Sequence, residues 1–380
     1  MKTKIWLSSP HMGGNEMSYV QEAYDTNWVA PLGPNVTGFE TALEKYIDND
    51  AKVACLNSGT SAIHLALILA GVIQNDEVLC QSFTFSASAN PIAYQKAIPI
   101  FIDSETATWN MCPDALEAAI KDRISKGKKP KAIIVVHLYG MPAKIDEICT
   151  IANKYEIILI EDAAEALGSN YKGQKCGTFG DFGILSFNGN KIITTSGGGA
   201  LVCKNEQDKQ RAIYLATQAR DTAAHYQHTE IGYNYRMSNI LAGIGRGQIE
   251  VLDKHIGLRR AMNKFYQALF KDVIGITVFI EPTEVYFSNH WLSCILIDPN
   301  TKGFTREDLR LHLEKSNIES RPLWKPMHLQ PVFNDCPYYG SGVTETLFKN
   351  GLCLPSGSNL TDLDRNRIKI AISTFINKER

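Results

Sequence analysis

A short polar stretch, NSGTSA at 57–62, stands between an apolar run and a helix-like run. The start of a helix presents unpaired backbone N–H groups and the positive end of the helix dipole, which together suit a phosphate. Gly59 lets a ligand come close to the backbone, and Thr60 and Ser61 add hydroxyl donors. The stretch matches neither a Walker A loop nor a G-x-G-x-x-G dinucleotide motif. It predicts a phosphate-binding turn, with an ordinary helix N-cap as the alternative.

Two carboxylates follow the apolar residues of the segment EIILIEDAAEALGS, which ends at residue 169. Asp162 stands just past the apolar part of a predicted strand, where ligands of α/β sheets collect. A carboxylate held there beside a cation stays ionised. Glu165 follows shortly afterwards, among alanines that leave open space. Asp162 is therefore a candidate ligand for a cationic group, with a helix cap as its alternative role.

Lys191 lies in the segment SFNGNKIITTSGGGA at 186–200, between a polar loop and a run of small residues. A lysine becomes a nucleophile when burial or a nearby cation lowers its pKa, and its usual covalent product is a Schiff base. Taken alone, such a residue is most often a solvated loop lysine. Phosphate donors, a carboxylate for a ring nitrogen and a reactive lysine are together what pyridoxal phosphate requires from a protein. The three stretches in combination predict an enzyme that uses this cofactor.

Short apolar runs alternate with helix-like stretches over the first half of the chain and position these candidate residues. The runs are 52–56, 77–80, 98–103, 131–138, 156–162, 182–187 and 199–203. Near-continuous Val, Ile and Leu in such runs are typical of a mainly parallel sheet that helices cover on both faces. We therefore expect an α/β fold with a mainly parallel seven-stranded sheet, one strand for each run.

The last third of the chain has a different pattern. Residues 239–270 lack proline and predict one long helix, which two strands follow in ITVFI and WLSCILID. In FTREDLRLHLEKSNI, Thr305 and Asp308 have the spacing of a capping box at a helix start. We expect a large cofactor-binding α/β domain at 1–250, which includes the N-terminal segment, and a smaller α+β domain at 251–380.

Composition limits the classes of partner. The chain of 380 residues has 39 basic and 40 acidic side chains, which gives no electrostatic case for nucleic acid or an anionic membrane as a partner. No apolar run approaches the roughly 20 residues of a transmembrane helix, and the N-terminal residues turn polar too early for a secretory signal. The 9 cysteines are scattered without a metal-binding pattern. These features predict a cytoplasmic protein with reduced cysteines and no metal site.

Longer motifs across essentially the whole chain resemble one known family. They are APLGPNVTGFE (30–40), NSGTSAIHLAL (57–67), SFTFSASANPI (82–92), VVHLYGMP (135–142), EDAAEALGS (161–169), GDFGILSFNGNKIITTSGGGAL (180–201), GYNYRMSNI (232–240) and RPLWKPMH (321–328). The family is that of the DegT/StrS-type nucleotide-sugar aminotransferases, which are fold-type I enzymes dependent on pyridoxal 5'-phosphate. Within it, SFNGNKIITTSGGG and RPLWKPMH look most like the C-4 aminotransferases of the bacillosamine pathway, which act on UDP-4-keto-6-deoxy-GlcNAc.

The resemblance implies a set of cofactor-binding residues. The set consists of Gly59, Thr60, Ser61, Phe85, Asp162, Glu165, Ser186, Lys191 and Asn234. Lys191 would bind the cofactor covalently and shuttle a proton, while Asp162 would keep the pyridine nitrogen protonated. Ser186 would join the NSGTSA turn in holding the phosphate. Phe85 would stack on the cofactor ring, although a core aromatic is the better interpretation of this residue without the motif.

Glu165 departs from the commoner pattern of the family, which has Gln or His near the phenolic oxygen of the cofactor. In this respect the chain resembles the bacillosamine branch. An ionised carboxylate beside a phenolate would be repulsive. We therefore expect Glu165 to be protonated or to reach the oxygen through water.

Two residues of GYNYRMSNI have different implied roles. In the family, the asparagine at this place reaches the cofactor phosphate of the partner subunit. Asn234 therefore implies a homodimer in which this residue is contributed across the interface, with a turn residue as the alternative. Arg236 is expected to brace the same loop.

The resemblance also implies substrate contacts. The candidates are His11, Arg321, Trp324, Lys325 and His328. Arg321 and Lys325 suit a diphosphate, and His328 suits a sugar hydroxyl or keto group. Trp324 suits a base or sugar face, with packing against the neighbouring prolines as an equal alternative. His137, inside an apolar run, is expected to be a satisfied core histidine.

The implied reaction moves the amino group of L-glutamate to C-4 of UDP-2-acetamido-2,6-dideoxy-4-hexulose, with 2-oxoglutarate as the second product, in cell-surface glycan biosynthesis. A GDP-perosamine synthase-like enzyme, or another C-3 or C-4 keto-sugar aminotransferase, is the alternative within the class. From a different class, a non-catalytic regulator that binds the cofactor should lack Asp162 or Lys191, and this chain has both.

Overall fold

The computed structural model describes residues 3–48 and 50–378. Its helices are α1 (Glu16–Asp25), α2 (Pro34–Ile47), α3 (Gly59–Leu69), α4 (Asn90–Tyr94), α5 (Pro113–Ser125), α6 (Ile145–Tyr155), α7 (Glu206–Ala216), α8 (Asn239–Ile249), α9 (Leu252–Phe270), α10 (Pro299–Lys302), α11 (Arg306–Lys315), α12 (Val343–Asn350) and α13 (Asp362–Lys378). Its strands are β1 (Lys52–Leu56), β2 (Glu77–Gln81), β3 (Ile98–Ile102), β4 (Ala132–Val136), β5 (Ile158–Asp162), β6 (Asn170–Tyr171), β7 (Gln174–Lys175), β8 (Phe182–Ser186), β9 (Gly199–Cys203), β10 (Ile276–Val278), β11 (Tyr286–Phe287), β12 (Ser293–Ile297), β13 (Arg321–Pro322), β14 (Tyr338–Tyr339) and β15 (Gly351–Leu354).

The central sheet has eight strands in the order β1-β9-β8-β5-β4-β2-β3-β14. The strands from β8 to β14 in this order pair in parallel, whereas β9 runs antiparallel to both β8 and β1. The strands predicted from the seven apolar runs are all present, which confirms the mainly parallel α/β prediction. The eighth strand, β14, comes from the C-terminal part of the chain and was not predicted.

Helices bury both faces of this sheet. Because successive side chains of a strand point to opposite faces, Ile133 and Ile134 of β4 enter different apolar clusters. Ile134 packs with Leu65 of α3, while Ile133 packs with Ile148 of α6. Burial on both sides is the reason that these strands are apolar at nearly every position.

The C-terminal residues build a second sheet of four antiparallel strands, in the order β10-β12-β15-β13. Helices α9, α11 and α13 cover it with apolar side chains that include Tyr266, Leu313 and Ile372. The predicted capping box at the start of α11 is confirmed, since Thr305 and Asp308 exchange hydrogen bonds there. The remaining strands form a small sheet in the order β11-β6-β7.

The single helix predicted over 239–270 is divided in the structure, so that prediction is wrong at one point. α8 ends at Ile249, α9 begins at Leu252, and Val251 between them has a non-helical backbone with φ −110° and ψ 6°. α8 lies against α1 and α2, whereas α9 lies against β10 and β12 of the second sheet. The two halves pack on different partners, and apolar periodicity within one segment does not reveal such a break.

The N-terminal segment crosses to the second sheet. Ile5 is buried in the same cluster as residues of α9 and α13, and its backbone pairs with that of Ile318. In the opposite direction, the C-terminal strand β14 joins the central sheet. Because segments from each side of residue 250 pack with the other side, these contacts do not define a boundary there, and the division of the chain at residue 250 stays a prediction.

Three further features concern the described residues as a set. None of their helices has both the length and the apolar character needed to cross a membrane. No three of their His, Cys, Asp or Glu side chains are grouped so that they could hold a metal ion. The cysteines are free thiols, six of them buried.

Candidate active site

A cavity of about 380 Å³ opens where β5 and β8 end, beside the turn that follows β1. β5 and β8 are parallel, and Asp162 is in register with Ile184, so the two strands end at the same edge of the sheet. The lining consists of Asn57, Ser58, Gly59, Thr60, Ile63, Thr84, Phe85, Ala87, Val136, Asp162, Ala164, Glu165, Ser186, Asn188, Asn190, Lys191, Gly197, Gly198, Trp291 and Trp324. Among the predicted cofactor residues, only Ser61 and Asn234 are absent from this lining.

The predicted phosphate turn is the start of α3. Ser58 caps this helix, because its Oγ accepts a hydrogen bond from the Ser61 N–H at 3.0 Å. The Ser61 hydroxyl donates to Asn57 Oδ1 at 2.6 Å. The first N–H groups of a helix have no intrahelical acceptor, so the backbone of Gly59 and Thr60 is available to an anion in the cavity. The stretch is therefore a capped helix start that is also suited to a phosphate.

Ser186 and Gly199 place the edge of the sheet directly against this turn. A Cβ atom at Gly59 would lie 3.2 Å from the Ser186 Cβ, so Ser186 closes one side of the turn. A Cβ atom at Gly199 would lie only 2.3 Å from the Gly59 nitrogen. Glycine is therefore required at the first position of β9, where the two backbones come together.

Asp162 is the last residue of β5 and is 5% exposed. Its Oδ2 accepts a hydrogen bond from the Ser88 hydroxyl at 2.6 Å, and its Oδ1 accepts one from the Ala164 N–H at 3.1 Å. The Ser88 hydroxyl is also 2.7 Å from that of Thr84. These two donors fix the direction of the carboxylate at the end of β5. Asp162 is thus suited to a buried cationic ring nitrogen.

Glu161 precedes Asp162 in β5 and points to the opposite face of the sheet. Its carboxylate accepts hydrogen bonds from the backbone N–H groups of Gly177, Phe179 and Gly180, and His137 Nε2 lies 2.8 Å from it. His137 Nδ1 lies 3.0 Å from the Ala143 backbone nitrogen, so both ring nitrogens have a hydrogen-bond partner. His137 is satisfied in the core, as predicted, and only the second of the two adjacent carboxylates reaches the cavity.

Lys191 ends a turn at residues 188–191, where its backbone N–H donates to the Asn188 carbonyl at 2.9 Å. Its side chain is only 12% exposed, unlike that of a solvated loop lysine. Nζ lies 3.6 Å from Glu165 Oε1 and 4.3 Å from the centroid of the Trp291 ring. The amine is therefore held inside the cavity between a carboxyl group and an aromatic face.

Glu165 is 5% exposed, and its Oε2 accepts a hydrogen bond from the Tyr139 N–H at 2.7 Å. Burial raises the pKa of Glu165 above its ordinary value, and the nearby Lys191 ammonium only partly opposes the rise. The shift favours the protonated carboxyl, which is one of the two states expected from the sequence. A protonated carboxyl can donate a hydrogen bond to a phenolate oxygen.

Phe85 and Trp324 form an aromatic wall at the cavity. Phe85 is 52% exposed, and its ring centroid lies 5.5 Å from that of Trp324. The Trp324 backbone N–H donates to the Tyr139 hydroxyl at 2.9 Å, which fixes this segment beside the cavity. The indole Nε1 of Trp324 is buried and has no hydrogen-bond partner among the described residues. Such a wall can bind a planar ring or a sugar face.

Of the five predicted substrate residues, only Trp324 belongs to the lining. His11 stacks on His255 with 4.6 Å between ring centroids, and its Nδ1 lies 3.1 Å from the Ser358 hydroxyl. Burial lowers the pKa of His11, so its neutral form is favoured. The structure thus places His11 in a contact between the N-terminal segment and α9.

Three predicted substrate residues of the segment RPLWKPMH also lie outside the lining. They are Arg321, Lys325 and His328. Arg321 is exposed and forms an ion pair with Glu319 at 2.8 Å. His328 has a hydrogen-bond partner at each ring nitrogen, namely the Ser82 hydroxyl at 2.7 Å and the Glu345 carboxylate at 3.0 Å. The side chains of Arg321 and His328 therefore contact the rest of the protein rather than the cavity.

Asn234 is exposed and lies beside the phosphate turn without entering the lining. Its carbonyl accepts a hydrogen bond from Asn57 Nδ2 at 3.1 Å. Arg236 donates to the Glu40 carboxylate and to the Cys55 carbonyl. Arg236 therefore braces this loop, as the sequence predicted.

Some lining residues were not predicted from the sequence. They include Asn57, Ser58, Asn188, Asn190 and Trp291. The first four flank predicted residues within NSGTSA and SFNGNK, so these motifs were the available signal. Trp291 lies far along the chain in WLSCILID, and no motif connected it with Lys191.

The residues of the cavity fit pyridoxal phosphate. The N–H groups at the start of α3 and the Ser186 hydroxyl match its phosphate, and Asp162 matches its ring nitrogen. The amine of Lys191 lies in the same cavity, which fits the aldehyde of the cofactor.

Comparison with known proteins points to the same chemistry. The model of the DegT/DnrJ/EryC1/StrS aminotransferase family matches residues 10–373. EpsN of Bacillus subtilis (strain 168), assigned as a pyridoxal phosphate-dependent aminotransferase, is 51% identical over 97% of this chain and 95% of its own. The GDP-perosamine synthase of Caulobacter vibrioides is 35% identical over 98% of each chain. Among solved structures, Spr1654 from Streptococcus pneumoniae in its PLP form has a TM-score of 0.90 at 26% identity and covers 100% of both chains.

These findings confirm the family, fold type and cofactor that the motifs predicted. The fold is that of the fold-type I aminotransferases, and the cofactor is pyridoxal phosphate. The protein is a sugar aminotransferase. The chain belongs to the DegT/DnrJ/EryC1/StrS aminotransferase family.

Proposed function

We propose that the enzyme transfers the amino group of L-glutamate to C-4 of UDP-2-acetamido-2,6-dideoxy-4-hexulose. The observation that carries the transamination is the single cavity in which Lys191, Asp162 and Ser186 meet the start of α3. The choice of sugar is supported by the resemblance of SFNGNKIITTSGGG and RPLWKPMH to the bacillosamine-pathway enzymes. The product would be a UDP-linked amino sugar for cell-surface glycans.

Asp162 and Lys191 would divide the proton chemistry between them. When bound, pyridoxal phosphate supplies an electron sink for the carbon atom that loses a proton. Asp162, oriented by Ser88, would hold a proton on the ring nitrogen. Lys191 Nζ would take the α-proton of glutamate and return it at a neighbouring carbon, acting first as base and then as acid. The same groups acting in reverse on the keto sugar would give ping-pong kinetics.

Glu165 would donate a hydrogen bond to the phenolic oxygen of the cofactor. Its burial and its raised pKa support a protonated carboxyl at this position. Glutamate can lose that proton at high pH, whereas glutamine has no such proton to lose. The absorption spectrum of the holoenzyme should therefore change with pH in a way that Glu165→Gln lacks. Identical spectra of the two proteins at every pH would contradict the role.

The nucleotide would extend beyond the aromatic wall of Phe85 and Trp324. A cavity of about 380 Å³ that also holds the cofactor is too small for a whole nucleotide sugar. We propose that Arg321 and Lys325 bind the diphosphate outside the cavity. His11 and His328 would join these contacts only by giving up their present partners, which are Ser358 for His11 and Ser82 or Glu345 for His328.

The enzyme would act as a homodimer, in which Asn234 of each subunit contacts the cofactor phosphate bound by the other. The exposure of Asn234 and its hydrogen bond to Asn57 beside the phosphate turn support this arrangement. Large apolar side chains of the N-terminal segment, among them Met17, Trp28 and Leu32, are also exposed, as on a surface that a second subunit covers.

The free cysteines support a cytoplasmic location for the proposed enzyme.

Half-reactions followed by the absorption spectrum of the holoenzyme test the donor and the acceptor separately. L-Glutamate should convert the lysine-bound cofactor to its amine form, and UDP-2-acetamido-2,6-dideoxy-4-hexulose should convert it back. GDP- and dTDP-linked 4-keto-6-deoxy sugars are the matched controls. If glutamate does not convert the cofactor to its amine form, the assignment of glutamate as donor is wrong. If only a GDP- or dTDP-linked sugar converts the amine form back, the assignment of a UDP-linked acceptor is wrong.

GDP-4-keto-6-deoxymannose is the second candidate substrate. The support for it is the whole-length match to the GDP-perosamine synthase of Caulobacter vibrioides, at 35% identity. The same panel of sugars decides between the two candidates. Each candidate predicts that a sugar linked to a different nucleotide converts the amine form of the cofactor back to the lysine-bound form.

A further inference from the structure

The turn at 188–191 that presents Lys191 lies between β8 and β9 and has no helix or strand of its own. Within the turn, the Lys191 N–H donates to the Asn188 carbonyl. The direction of the lysine therefore depends on contacts from elsewhere in the fold. We call residues 188–191 the lysine turn.

Trp291 makes two of these contacts. It is 1% exposed and comes just before β12 of the second sheet. Its indole Nε1 donates to the Asn190 carbonyl at 2.7 Å, and its ring face lies 4.3 Å from Lys191 Nζ. An aromatic face attracts an ammonium group. Trp291 therefore contacts both the backbone of the lysine turn and the end of the lysine side chain.

Arg259 of α9 makes further contacts behind Trp291. It is 1% exposed, its Nη1 donates to the Trp291 carbonyl at 2.6 Å, and its Nη2 donates to the Lys191 carbonyl at 3.4 Å. Nη2 also donates to the Ser8 hydroxyl at 3.0 Å, and that hydroxyl donates to the Asn190 carbonyl at 2.6 Å. One guanidinium thus joins the N-terminal segment, the second sheet and the lysine turn.

The charge of Arg259 has no carboxylate partner among the described residues. Its Nε has no hydrogen-bond partner there either, and burial lowers the pKa of Arg259 to about 9. Burying a cation without a counter-ion costs free energy. Because a buried arginine without a counter-ion adds little to stability, we take the role of Arg259 to be the placement of the lysine turn.

We propose that Arg259 and Trp291 are positioning residues for Lys191, which fix its turn and aim its amine at the cofactor. The inference rests on the proposed covalent role of Lys191. Arg259 lies on α9, which covers the second sheet, and Trp291 lies just before β12, so the packing of that sheet against the central one sets the position of the lysine. Deleting their contacts should leave the fold intact and misplace the amine.

Timed trapping of the cofactor on the lysine measures this placement directly. Cofactor-free protein is mixed with pyridoxal phosphate and reduced with borohydride at intervals, and peptide mass spectrometry gives the rate of modification at Lys191. Arg259→Lys and Trp291→Phe, which keep the charge and the aromatic ring, should lower this rate by about tenfold or more. The circular dichroism of the bound cofactor should weaken in both variants, because its orientation in the cavity changes.

Two variants serve as matched controls. Arg260→Lys alters the neighbouring arginine of α9, which bonds to Glu281 and does not contact the lysine turn. Trp109→Phe alters another buried tryptophan of the cluster that contains Trp291. Both should trap the cofactor at the wild-type rate. Ser8→Ala, a milder change, should give a smaller decrease than Arg259→Lys, and it still tests the proposal if the larger changes impair folding.

The outcomes separate the inference from the proposed function. Wild-type trapping and circular dichroism in Arg259→Lys, Trp291→Phe and Ser8→Ala would overturn the positioning role. An equal loss in the two controls would also overturn it, because the effect would then be one of general stability. Trapping of the cofactor in the wild-type protein at a lysine other than Lys191 would instead overturn the proposed function.

Discussion

The cofactor cradle, which we define as residues 58–60 with Asp162, Ser186 and Lys191, differs from the segment RPLWKPMH at 321–328 in where its polar groups point. The cradle follows the ends of β1, β5 and β8, and its groups meet in one cavity. In the segment, only Trp324 lines that cavity. The other polar side chains of the segment lie outside it.

The difference shows how much of a site a sheet can place by itself. Parallel strands have their carboxyl ends at the same edge of the sheet. The residues that follow these strands are therefore close together, whatever the conformation of the loops. RPLWKPMH occupies the short strand β13 and an irregular stretch, where Arg321 pairs with Glu319 and His328 pairs with Glu345. We infer that the substrate side of the site needs the substrate or a second subunit to become complete. On the cofactor side, one chain brings together every group of the cradle, and the second subunit is proposed to add only Asn234.

The largest effect is expected from the cradle itself. Lys191→Ala should abolish covalent attachment of the cofactor and reduce the amination rate by about 10²–10⁴-fold, because the base that moves the proton is lost. Borohydride trapping and an assay of the amino sugar measure the two effects. Lys204→Ala is the control, since Lys204 is an exposed lysine that pairs with Asp181. Full activity in Lys191→Ala would refute the assignment.

A smaller effect is expected where the cradle depends on backbone contact. Gly199→Ala should destabilise the protein by about 1–3 kcal/mol and weaken cofactor binding, because the new methyl group overlaps the start of α3. Thermal unfolding and a cofactor titration measure this. Gly257→Ala is the control, since Gly257 lies outside the cavity lining and a Cβ there would meet no atom within 4 Å. Equal behaviour of the two variants would show that the close approach at Gly199 is unimportant.

On the substrate side, the effect should be confined to the second half-reaction. Arg321→Ala should raise KM for the nucleotide sugar by about tenfold, as expected for one lost hydrogen bond to a charged phosphate. The glutamate half-reaction should stay at its wild-type rate. Arg310→Ala, which removes a nearby arginine paired with Glu307 and Glu314, is the control. A slower glutamate half-reaction in Arg321→Ala would contradict the separation of the two regions.

The two regions also contain carboxyl groups whose pKa values move in opposite directions. Burial raises the pKa of Glu165, with partial opposition from Lys191. Burial also acts to raise the pKa of Glu319, but hydrogen bonds from the Leu7 N–H and Arg321 outweigh it and lower that pKa. Glu165 therefore contributes stability below its ordinary pKa of 4.5 that is lost as the pH rises. Glu319 contributes stability above 4.5 that is lost as the pH falls.

Two variants test these opposite pH dependences of stability, and we expect their effects to be the smallest of those predicted here. Relative to the wild type, Glu165→Gln should gain Tm as the pH rises above 4.5, because it cannot ionise in the buried site. Glu319→Gln should have its largest deficit in Tm above 4.5 and lose that deficit in acid. Thermal unfolding of the cofactor-free protein over a range of pH measures both. Differences that change with pH in the same direction would contradict the contrast between the two carboxyl groups.

Much of the cofactor side could be predicted from local sequence. Asp162 and the turn at 57–62 directly follow apolar runs, so a strand assignment already placed them at a sheet edge. Lys191 had no such support by itself, and it was assigned through the other two stretches and the family resemblance. The substrate residues had only the resemblance, and for them the prediction stays untested.

The sequence by itself determined seven of the eight strands of the central sheet, the helix start at 57–62, the carboxylate at the end of β5 and the family. Apolar runs, helix starts and motifs are local properties, and they act over a few residues. Only the tertiary structure decided that the helix over 239–270 breaks at Val251 and that Gly199 lies against Gly59. It also brought Trp291 and Arg259 to the lysine turn. The contacts of Trp291 and Arg259 with the lysine turn join residues that are far apart in the chain. They form because the second sheet packs against the central one.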